Sequence, residues 1–157
     1  EYDVTAVWYN PNIAPAQEHD LRREAMRTVA ERCGVELVEL EYDPSAWEAV
    51  CAGLKDEPEG GARCVECFRL RLERVARWAA ARGVGTLATT LSISPHKSAQ
   101  TINASGIEVA AGQGLRFLVA DFKRGGGFQR SVALSKQWGL YRQRYCGCSP
   151  PEEPVRR

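Results

Sequence analysis

The sequence lacks a long apolar run, a signal peptide and any internal repeat. A helix that spans a bilayer needs roughly 18 or more consecutive apolar residues, so the sequence predicts no transmembrane segment and no membrane partner. With six cysteines in 157 residues, the chain is also too large for a miniprotein held together by disulfides. These absences predict a cytoplasmic protein in which paired cysteines serve metal or redox chemistry.

The length predicts one domain. A hydrophobic content of 44% is ordinary for a globular protein of 157 residues. We assign residues 1–149 to a single α/β domain and residues 150–157, which are rich in Pro, Glu and Arg, to a disordered tail. The sequence begins at Glu1 rather than at Met and enters a strand at once, so we interpret it as the remainder of a longer protein.

Charge is distributed unevenly along the chain. Residues 1–60 carry 14 acidic and 5 basic side chains, whereas residues 61–157 carry 6 acidic and 16 basic ones, most of them Arg. Arginine forms bidentate contacts with phosphate, so the second part suits a polyanion such as nucleic acid. A solvated helical surface accounts for the same pattern equally well.

Four apolar segments predict strands that alternate with helices: 3–9, 35–42, 86–93 and 116–121. Helices are expected from Ala16 to a stop at Gly34, over 66–81, from about Ser98, and over 128–138. Another begins near Asp43, capped by Asp43 itself or by a box formed by Ser45 and Glu48. This order predicts a parallel sheet with flanking helices, whose ligands bind beyond the carboxyl ends of the strands.

The motif Cys64-Val65-Glu66-Cys67 lies at the start of a predicted helix. This spacing brings two sulfurs to one metal or cluster, and a helix N-terminus favours the thiolate. A redox dithiol, half of a zinc site and half of an iron–sulfur site share the spacing, and a purely structural role is the bland alternative. Cys33 and Cys51 lie alone in helical segments and are expected to pack in the core or at its boundary.

The second pair, Cys146-Gly147-Cys148, suits a strained and easily reduced disulfide, because its two α-carbons lie near the range that a disulfide bridges. A catalytic or regulatory role follows from that chemistry. The alternative is that Cys64, Cys67, Cys146 and Cys148 form one structural zinc site.

Basic and aromatic residues surround these pairs. Tyr141, Arg142, Arg144 and Tyr145 precede Cys146 and offer phosphate contacts and stacking surfaces, although the same pattern is common on ordinary surfaces. His96 follows a predicted strand, so it is placed to donate a proton, or it is simply a solvated loop histidine.

Several longer motifs occur in a fixed order: Tyr9-Asn10-Pro11-Asn12-Ile13, Asp56-Glu57-Pro58-Glu59-Gly60-Gly61 with Cys64 and Cys67, Thr89 to Lys97, Asp121-Phe122-Lys123, Arg130-Ser131, Leu134-Ser135-Lys136, and Tyr141-Arg142-Gln143 with Tyr145 to Cys148. Together they resemble the QueH type of epoxyqueuosine reductase over nearly the whole chain. The resemblance is far more specific than either cysteine pair alone.

The resemblance implies the last step of queuosine biosynthesis, reduction of the epoxide of epoxyqueuosine at the wobble position of tRNA. It implies a HUP-like fold (adenine nucleotide α-hydrolase-like), a [4Fe-4S] cluster with Cys64 and Cys67 among its ligands, and Cys146 and Cys148 as the redox-active pair. The partners would be tRNA carrying epoxyqueuosine and an electron donor.

Further roles are hypotheses from charge and position. Lys97, Arg130, Arg142 and Arg144 are predicted to bind the tRNA backbone, and His96 to protonate the leaving oxygen.

The family pattern begins with a strand and a His-x-Cys-Cys-x-Pro-Cys loop that this sequence does not contain. We therefore expect the first strand of the sheet and the remaining cluster ligands to be missing from this chain. The competing function is a non-enzymatic RNA-binding module with a structural zinc site formed by four cysteines. A metal-free thiol–disulfide oxidoreductase is less favoured, because that activity needs no polyanion partner.

Overall fold

Helices and short strands alternate along the chain in a computed structural model that describes residues 2–150. The strands are β1 (Thr5–Trp8), β2 (Glu36–Glu39), β3 (Thr86–Leu87) and β4 (Arg116–Phe117). The helices are α1 (Ala16–Cys33), α2 (Pro44–Cys51), α3 (Ala62–Ala80), α4 (Ala99–Gly112) and α5 (Gly127–Gln137), and two short 3₁₀ helices span Thr90–Ile93 and Arg124–Gly126. These elements group into two units: a terminal unit, up to Ala46 and from Ser135 onward, and a central unit, Trp47–Leu134.

The terminal unit is built on the parallel pair β1 and β2, in which Thr5 lies opposite Glu36 and Trp8 opposite Glu39. Helix α1 connects the two strands, as a parallel pair requires. It ends at Gly34 in the left-handed conformation, with φ of 63°, and the Val35 N–H donates to the Ala30 carbonyl at 2.9 Å. The predicted stop at Gly34 is therefore confirmed.

Helix α2 begins after Asp43, with Pro44 at the first helical position. The Asp43 carboxylate accepts a hydrogen bond from the Ala46 N–H at 3.2 Å. Of the two caps that the sequence allowed, the one formed by Asp43 is the one observed.

The central unit is built around helix α3, whose buried residues recur every three to four positions and whose main partner is α4. Phe68, Leu72 and Ala79 are buried and Val75 packs beside them, as predicted. One cluster of buried residues joins α3 to α4 and β3, and its members are Cys64, Phe68, Leu72, Ala76, Leu87, Ile102 and Val109.

The parallel pairing of strands is confirmed, but the single sheet is not. Within residues 2–150, β1 pairs with β2 and β3 pairs with β4, which gives two sheets of two strands each. The predicted strand over 86–93 ends at Leu87, and Thr90–Ile93 forms a 3₁₀ helix instead. The physical reason lies in Thr89, whose hydroxyl accepts a hydrogen bond from the Leu91 N–H at 3.3 Å and gives that amide a partner outside a sheet.

The sequence also predicted the start of α4, a single domain, a HUP-like fold and a C-terminal tail. Helix α4 begins after Ser98, whose hydroxyl caps the Thr101 N–H at 3.2 Å, as expected. The single domain over 1–149 and the HUP-like assignment stay predictions. Most of the predicted tail, residues 151–157, lies outside the described residues. In the part of the chain that is described, no helix combines the length and apolar content that crossing a bilayer requires.

A buried histidine stabilises the terminal unit. His19 is 2% exposed, its ring stacks on Tyr42 with centroids 4.1 Å apart, and its Nε2 lies 3.0 Å from the Trp8 indole nitrogen. Because the indole N–H can only donate, Nε2 must be unprotonated and the ring proton must lie on Nδ1, which faces Asp20 at 3.4 Å. Burial lowers the pKa of His19 below its ordinary value of 6.5, even though Asp20 acts in the opposite direction.

We expect acid to destabilise the fold through His19. Because the unfolded chain binds the proton more readily than the folded chain does, the stabilisation is complete above pH 6.5 and is lost as the pH falls below that value toward the lowered pKa. The free energy of unfolding should therefore fall between pH 7 and pH 5, by at most about 1.4 kcal/mol per pH unit for this one proton. Urea denaturation at several pH values measures the slope.

The chain has two histidines, and the second supplies the control. His19→Gln should be less stable at every pH but should lose the slope between pH 7 and pH 5. His96 is exposed, so His96→Gln should keep the wild-type slope. An unchanged slope in His19→Gln would show that another group controls acid stability.

Candidate functional site

The Cys-x-x-Cys motif lies inside the first two turns of α3. The helix begins at Ala62 with Gly61 as its N-cap, four residues earlier than the sequence predicted. Cys64 and Cys67 therefore lie three residues apart on one side of the helix, and each is 6% exposed. The Gly60 N–H donates a hydrogen bond to the Cys64 sulfur at 3.2 Å. Two buried thiols three residues apart at the start of a helix are residues of the type that bind a metal or a cluster.

The acidic loop before α3 stabilises the N-terminus of this helix through a side-chain cap. The Glu57 carboxylate accepts a hydrogen bond from the Ala62 N–H at 3.1 Å and so caps the helix from outside. A β-carbon on Gly61 would lie 2.5 Å from that carboxylate and 3.2 Å from the Pro58 carbonyl, so a side chain there would displace the carboxylate from its capping position. The motif Asp56 to Gly61 thus has a structural explanation: it positions the turn that carries Cys64.

A third thiol, that of Cys51, lies near Cys67. Cys51, the last residue of α2, is 2% exposed, which confirms its predicted packing role. Burial raises the pKa of the Cys51 thiol, and the nearby Cys67 adds to that rise. Cys33 differs from the prediction, because this thiol at the end of α1 is exposed rather than in the core or at its boundary.

The segment from Ser94 to Lys97 lies beside Cys64. Lys97 is 11% exposed; its ammonium lies 3.7 Å from the Glu59 carboxylate and 5.7 Å from the centre of the Phe68 ring. His96 is exposed at the same place. A cavity of about 20 Å³, close to the volume of one water, is lined by Glu59, Gly60, Cys64, Phe68, His96, Lys97, Ser98 and Thr101. Both predicted residues of this segment therefore lie next to Cys64.

The Lys123 side chain joins this segment to the loop that follows β4. Its ammonium donates to the Lys97 carbonyl at 3.2 Å and pairs with Asp121 at 3.1 Å. Arg124 pairs with the other oxygen of Asp121 at 3.2 Å. The segment that follows the first 3₁₀ helix and the loop that follows β4 therefore lie side by side within the central unit.

The Cys-Gly-Cys motif lies in the terminal unit. Cys146 and Cys148 are half-buried, and Gly147 between them is buried in a backbone conformation with φ of 116°, which favours glycine. The Gly147 carbonyl accepts a hydrogen bond from the Ala14 N–H at 2.9 Å, and the Tyr145 hydroxyl donates to the Ala14 carbonyl at 2.7 Å. The motif is thus tied to the loop after β1 rather than extending freely from the end of the chain.

The arginines predicted to bind phosphate are accessible. Arg130 lies on α5, and Arg142 and Arg144 precede the Cys-Gly-Cys motif; all three are exposed. One Arg142 nitrogen donates to the Ser135 hydroxyl at 3.1 Å. Lys97 differs from them because it is largely buried beside Glu59.

No group of three or more His, Cys, Asp or Glu side chains in residues 2–150 is arranged to hold a metal ion. Cys64 and Cys67 would supply two ligands, whereas a four-iron cluster is normally held by about four cysteines. The pair fits half of such a ligand set.

Comparison with known proteins identifies the family to which the sequence is similar. The sequence profile described as "Epoxyqueuosine reductase QueH" matches residues 1–153. Proteins of the same name from Streptococcus pyogenes serotype M1 and Thermotoga maritima are each 38% identical to the chain, over 152 and 149 residues. Both alignments cover 93% of this chain, and they cover 60% of the streptococcal protein and 78% of the Thermotoga protein.

A further protein of that name, from Dehalococcoides mccartyi, is 36% identical over 148 residues, which are 94% of this chain and 78% of that protein. The chain thus spans 60% of the length of the streptococcal relative and more of the other two. Because one family profile covers nearly the whole sequence and the relatives exceed 30% identity, the chain belongs to the epoxyqueuosine reductase QueH family.

Proposed function

We propose that this chain carries the catalytic residues of an epoxyqueuosine reductase that acts on tRNA in the cytoplasm. The reaction would convert the epoxide of epoxyqueuosine at the wobble position to the alkene of queuosine. The family membership supports this proposal most directly, since the relatives are named for that activity. The paired thiols of two motifs, one buried on α3 and one held at Gly147, suit a reductase.

The reaction needs two electrons and two protons. Both C–O bonds of the epoxide break, a C=C bond forms between the same carbons, and the oxygen leaves as water. We assign the electrons to Cys146 and Cys148, whose oxidation to a disulfide releases two electrons and two protons. An electron donor, a reductant able to return two electrons in total, must then restore the two thiols.

We assign Cys64 and Cys67 as two ligands of a [4Fe-4S] cluster. Both are buried, and they share one side of α3. When bound, such a cluster supplies one-electron transfer. The residues that the structure describes do not complete the ligand set, so no step assigned to this chain depends on the cluster.

His96 and the basic residues complete the proposal. His96 is exposed beside Cys64 and is assigned as a proton donor to the epoxide oxygen. The exposed Arg130, Arg142 and Arg144 are assigned to the phosphates of tRNA. Lys97 would reach a phosphate only after leaving Glu59, so its contribution is expected to be smaller.

The test is a reduction assay on purified tRNA that carries epoxyqueuosine. The enzyme is prepared anaerobically in two forms: this chain, and the chain extended by the His-x-Cys-Cys-x-Pro-Cys element of its family. Dithionite serves as reductant, and mass spectrometry of the nucleosides follows the loss of one oxygen. We expect the extended form to bind about four irons and to produce queuosine. The same form with Cys64→Ser and Cys67→Ser should lose the iron, whereas Cys33→Ser should keep it.

Two outcomes would contradict the proposal. Iron-loaded extended enzyme that leaves the epoxide intact would exclude the reaction. Tightly bound zinc without iron, together with tRNA binding and no product, would instead favour the RNA-binding module with a structural zinc site.

A further inference from the structure

A buried ion pair on α1 lies against the Cys-Gly-Cys motif. Glu18 and Arg22 are separated by one helical turn and are 7% and 8% exposed. The Arg22 Nε donates to one Glu18 carboxylate oxygen at 2.8 Å. The other oxygen of that carboxylate accepts a hydrogen bond from the Tyr141 hydroxyl at 2.6 Å. Burying such an ion pair is costly unless its remaining hydrogen-bond donors and acceptors also find partners. The guanidinium therefore needs acceptors for the two nitrogens that do not contact Glu18.

The far side of the guanidinium binds the backbone at Cys146. Nη1 donates to the Cys146 carbonyl and Nη2 to the Tyr145 carbonyl, both at 2.9 Å. The guanidinium carbon also lies 5.1 Å from the centre of the Tyr145 ring. Two adjacent carbonyls that accept from the two terminal nitrogens of one guanidinium use its planar fork, which a single ammonium cannot reproduce.

Gly147 makes this close approach possible. A β-carbon there would lie 3.0 Å from the Arg22 Nη1 and 3.0 Å from the Ile13 Cγ1. With Arg22 holding the two carbonyls before it and Ala14 holding its own carbonyl, the backbone between Cys146 and Cys148 is restrained on both sides. A backbone restrained in this way has already lost the conformational entropy that closing a small ring would otherwise cost.

We infer that Arg22, oriented by Glu18, is the positioning residue that holds Cys146 and Cys148 ready to form and break their disulfide. This inference rests on the redox role proposed for the pair and adds the residues that control it. Arg22 acts through the carbonyls of residues 145 and 146. Without Arg22, the two sulfurs should lie within bonding distance for a smaller fraction of the time, and the equilibrium constant for disulfide formation should fall.

The experiment is a redox titration of the purified chain against mixtures of reduced and oxidised glutathione. Closing the bond oxidises two thiols and reduces one glutathione disulfide to two glutathiones, so electrons and protons balance. After acid quenching and alkylation, mass spectrometry of the peptide that contains Cys146 and Cys148 gives the oxidised fraction. We expect Arg22→Gln to lower the equilibrium constant for disulfide formation about tenfold, which corresponds to about 30 mV.

Matched variants separate positioning from folding. Arg23→Gln, next in the chain, removes an arginine that pairs with Asp20 at 3.0 Å, and it should leave the equilibrium constant unchanged. Arg22→Lys keeps the buried charge but not the fork, so it should give an intermediate value. Glu18→Gln should shift the constant in the same direction as Arg22→Gln, but less. If Arg22→Gln does not fold, the equilibrium constants of Arg22→Lys and Glu18→Gln still test the positioning role.

Each contrary result has a distinct meaning. Variants at Arg22 and Glu18 that titrate like the wild type would overturn the positioning role and leave the proposed reductase intact. A wild-type pair that closes at no glutathione ratio would overturn both the positioning role and the redox role of Cys146 and Cys148. A loss of thermal stability without a change in the equilibrium constant would reduce Arg22 to a structural residue.

Discussion

Replacing Cys148 by serine is expected to lower kcat/KM for epoxide reduction on the order of a thousandfold or more, as the loss of a residue that takes part directly in chemistry commonly does. In the proposed step, Cys146 and Cys148 supply both electrons by forming one S–S bond, and a serine hydroxyl cannot form that bond. Cys146→Ser should therefore cost as much as Cys148→Ser. The double variant should cost no more than either one, since the two sulfurs act as a unit.

Binding of tRNA should survive these changes. Cys146 and Cys148 are half-buried, whereas the residues assigned to phosphate contacts are exposed arginines, so removing a sulfur leaves the binding surface intact. Filter binding or anisotropy with tRNA gives Kd, and the nucleoside assay on the iron-loaded, extended enzyme gives turnover. The matched control is Cys33→Ser, because Cys33 is an exposed thiol outside both motifs.

The result would be decisive in either direction. If Cys148→Ser retained turnover within about tenfold of the wild type, the pair would not supply the electrons, and the reducing equivalents would have to reach the epoxide by another route. If turnover and tRNA binding fell together, the motif would serve binding rather than electron transfer.

Features of this chain that depend on local chemistry could be predicted from the sequence. Gly34 ends α1 because only glycine adopts its left-handed conformation easily, and Ser98 begins α4 because its hydroxyl caps the first turn. Asp43 caps α2 for the same kind of reason. Each signal and its effect lie within about four residues of each other, the span of one helical turn, so the pattern alone is sufficient.

Features that depend on distant partners could not be predicted. The Arg22 guanidinium and the Cys146 carbonyl are 124 residues apart in the chain, and Glu18 and Arg22 have the ordinary spacing of a surface ion pair. The early start of α3 depends on the Glu57 carboxylate reaching forward to the Ala62 N–H, a contact over five residues that lies outside the usual spacing of a helix cap. The pairing of Lys97 with Glu59, 38 residues earlier, leaves the lysine side chain 11% exposed and could not be predicted from its charge. The sequence offered one signal for the buried ion pair: Glu18 and Arg22 lie one turn apart on the same side of a predicted helix.

Helix α4 and strand β4 approach each other closely at Gly106, and we expect a side chain there to damage the central unit. A β-carbon on Gly106 would lie well inside contact distance of the Phe117 ring. Val at this position adds three carbons to a buried site, so Gly106→Val should lower the free energy of unfolding by about 3 kcal/mol, at the upper end for overpacking. Urea denaturation followed by circular dichroism measures the loss.

Gly112 on the same helix provides the control. Apart from the adjoining backbone of the helix, no atom lies within 4 Å of the position that its β-carbon would take. Gly112→Ala therefore gains helix propensity without a clash and should stabilise the protein by up to about 1 kcal/mol. The double variant Gly106→Ala with Phe117→Leu should recover part of the stability that Gly106→Ala alone loses, because the shorter side chain gives the new methyl group room. Equal stability of Gly106→Val and the wild type would show that α4 and β4 do not approach this closely.

The consequence of this packing extends to the cysteine motif. Phe117 packs against the same cluster of buried residues that contains Cys64 and Phe68, so forcing α4 away from β4 removes support from the helix that carries both α3 cysteines. Cys64 is 6% exposed in the native protein and should react slowly with iodoacetamide. In Gly106→Val, even under conditions in which the protein remains folded, Cys64 should be alkylated faster, whereas in Gly112→Ala its rate should match the wild type. A Cys64 that stays protected in Gly106→Val would mean that α3 holds its thiols independently of the contact between α4 and β4.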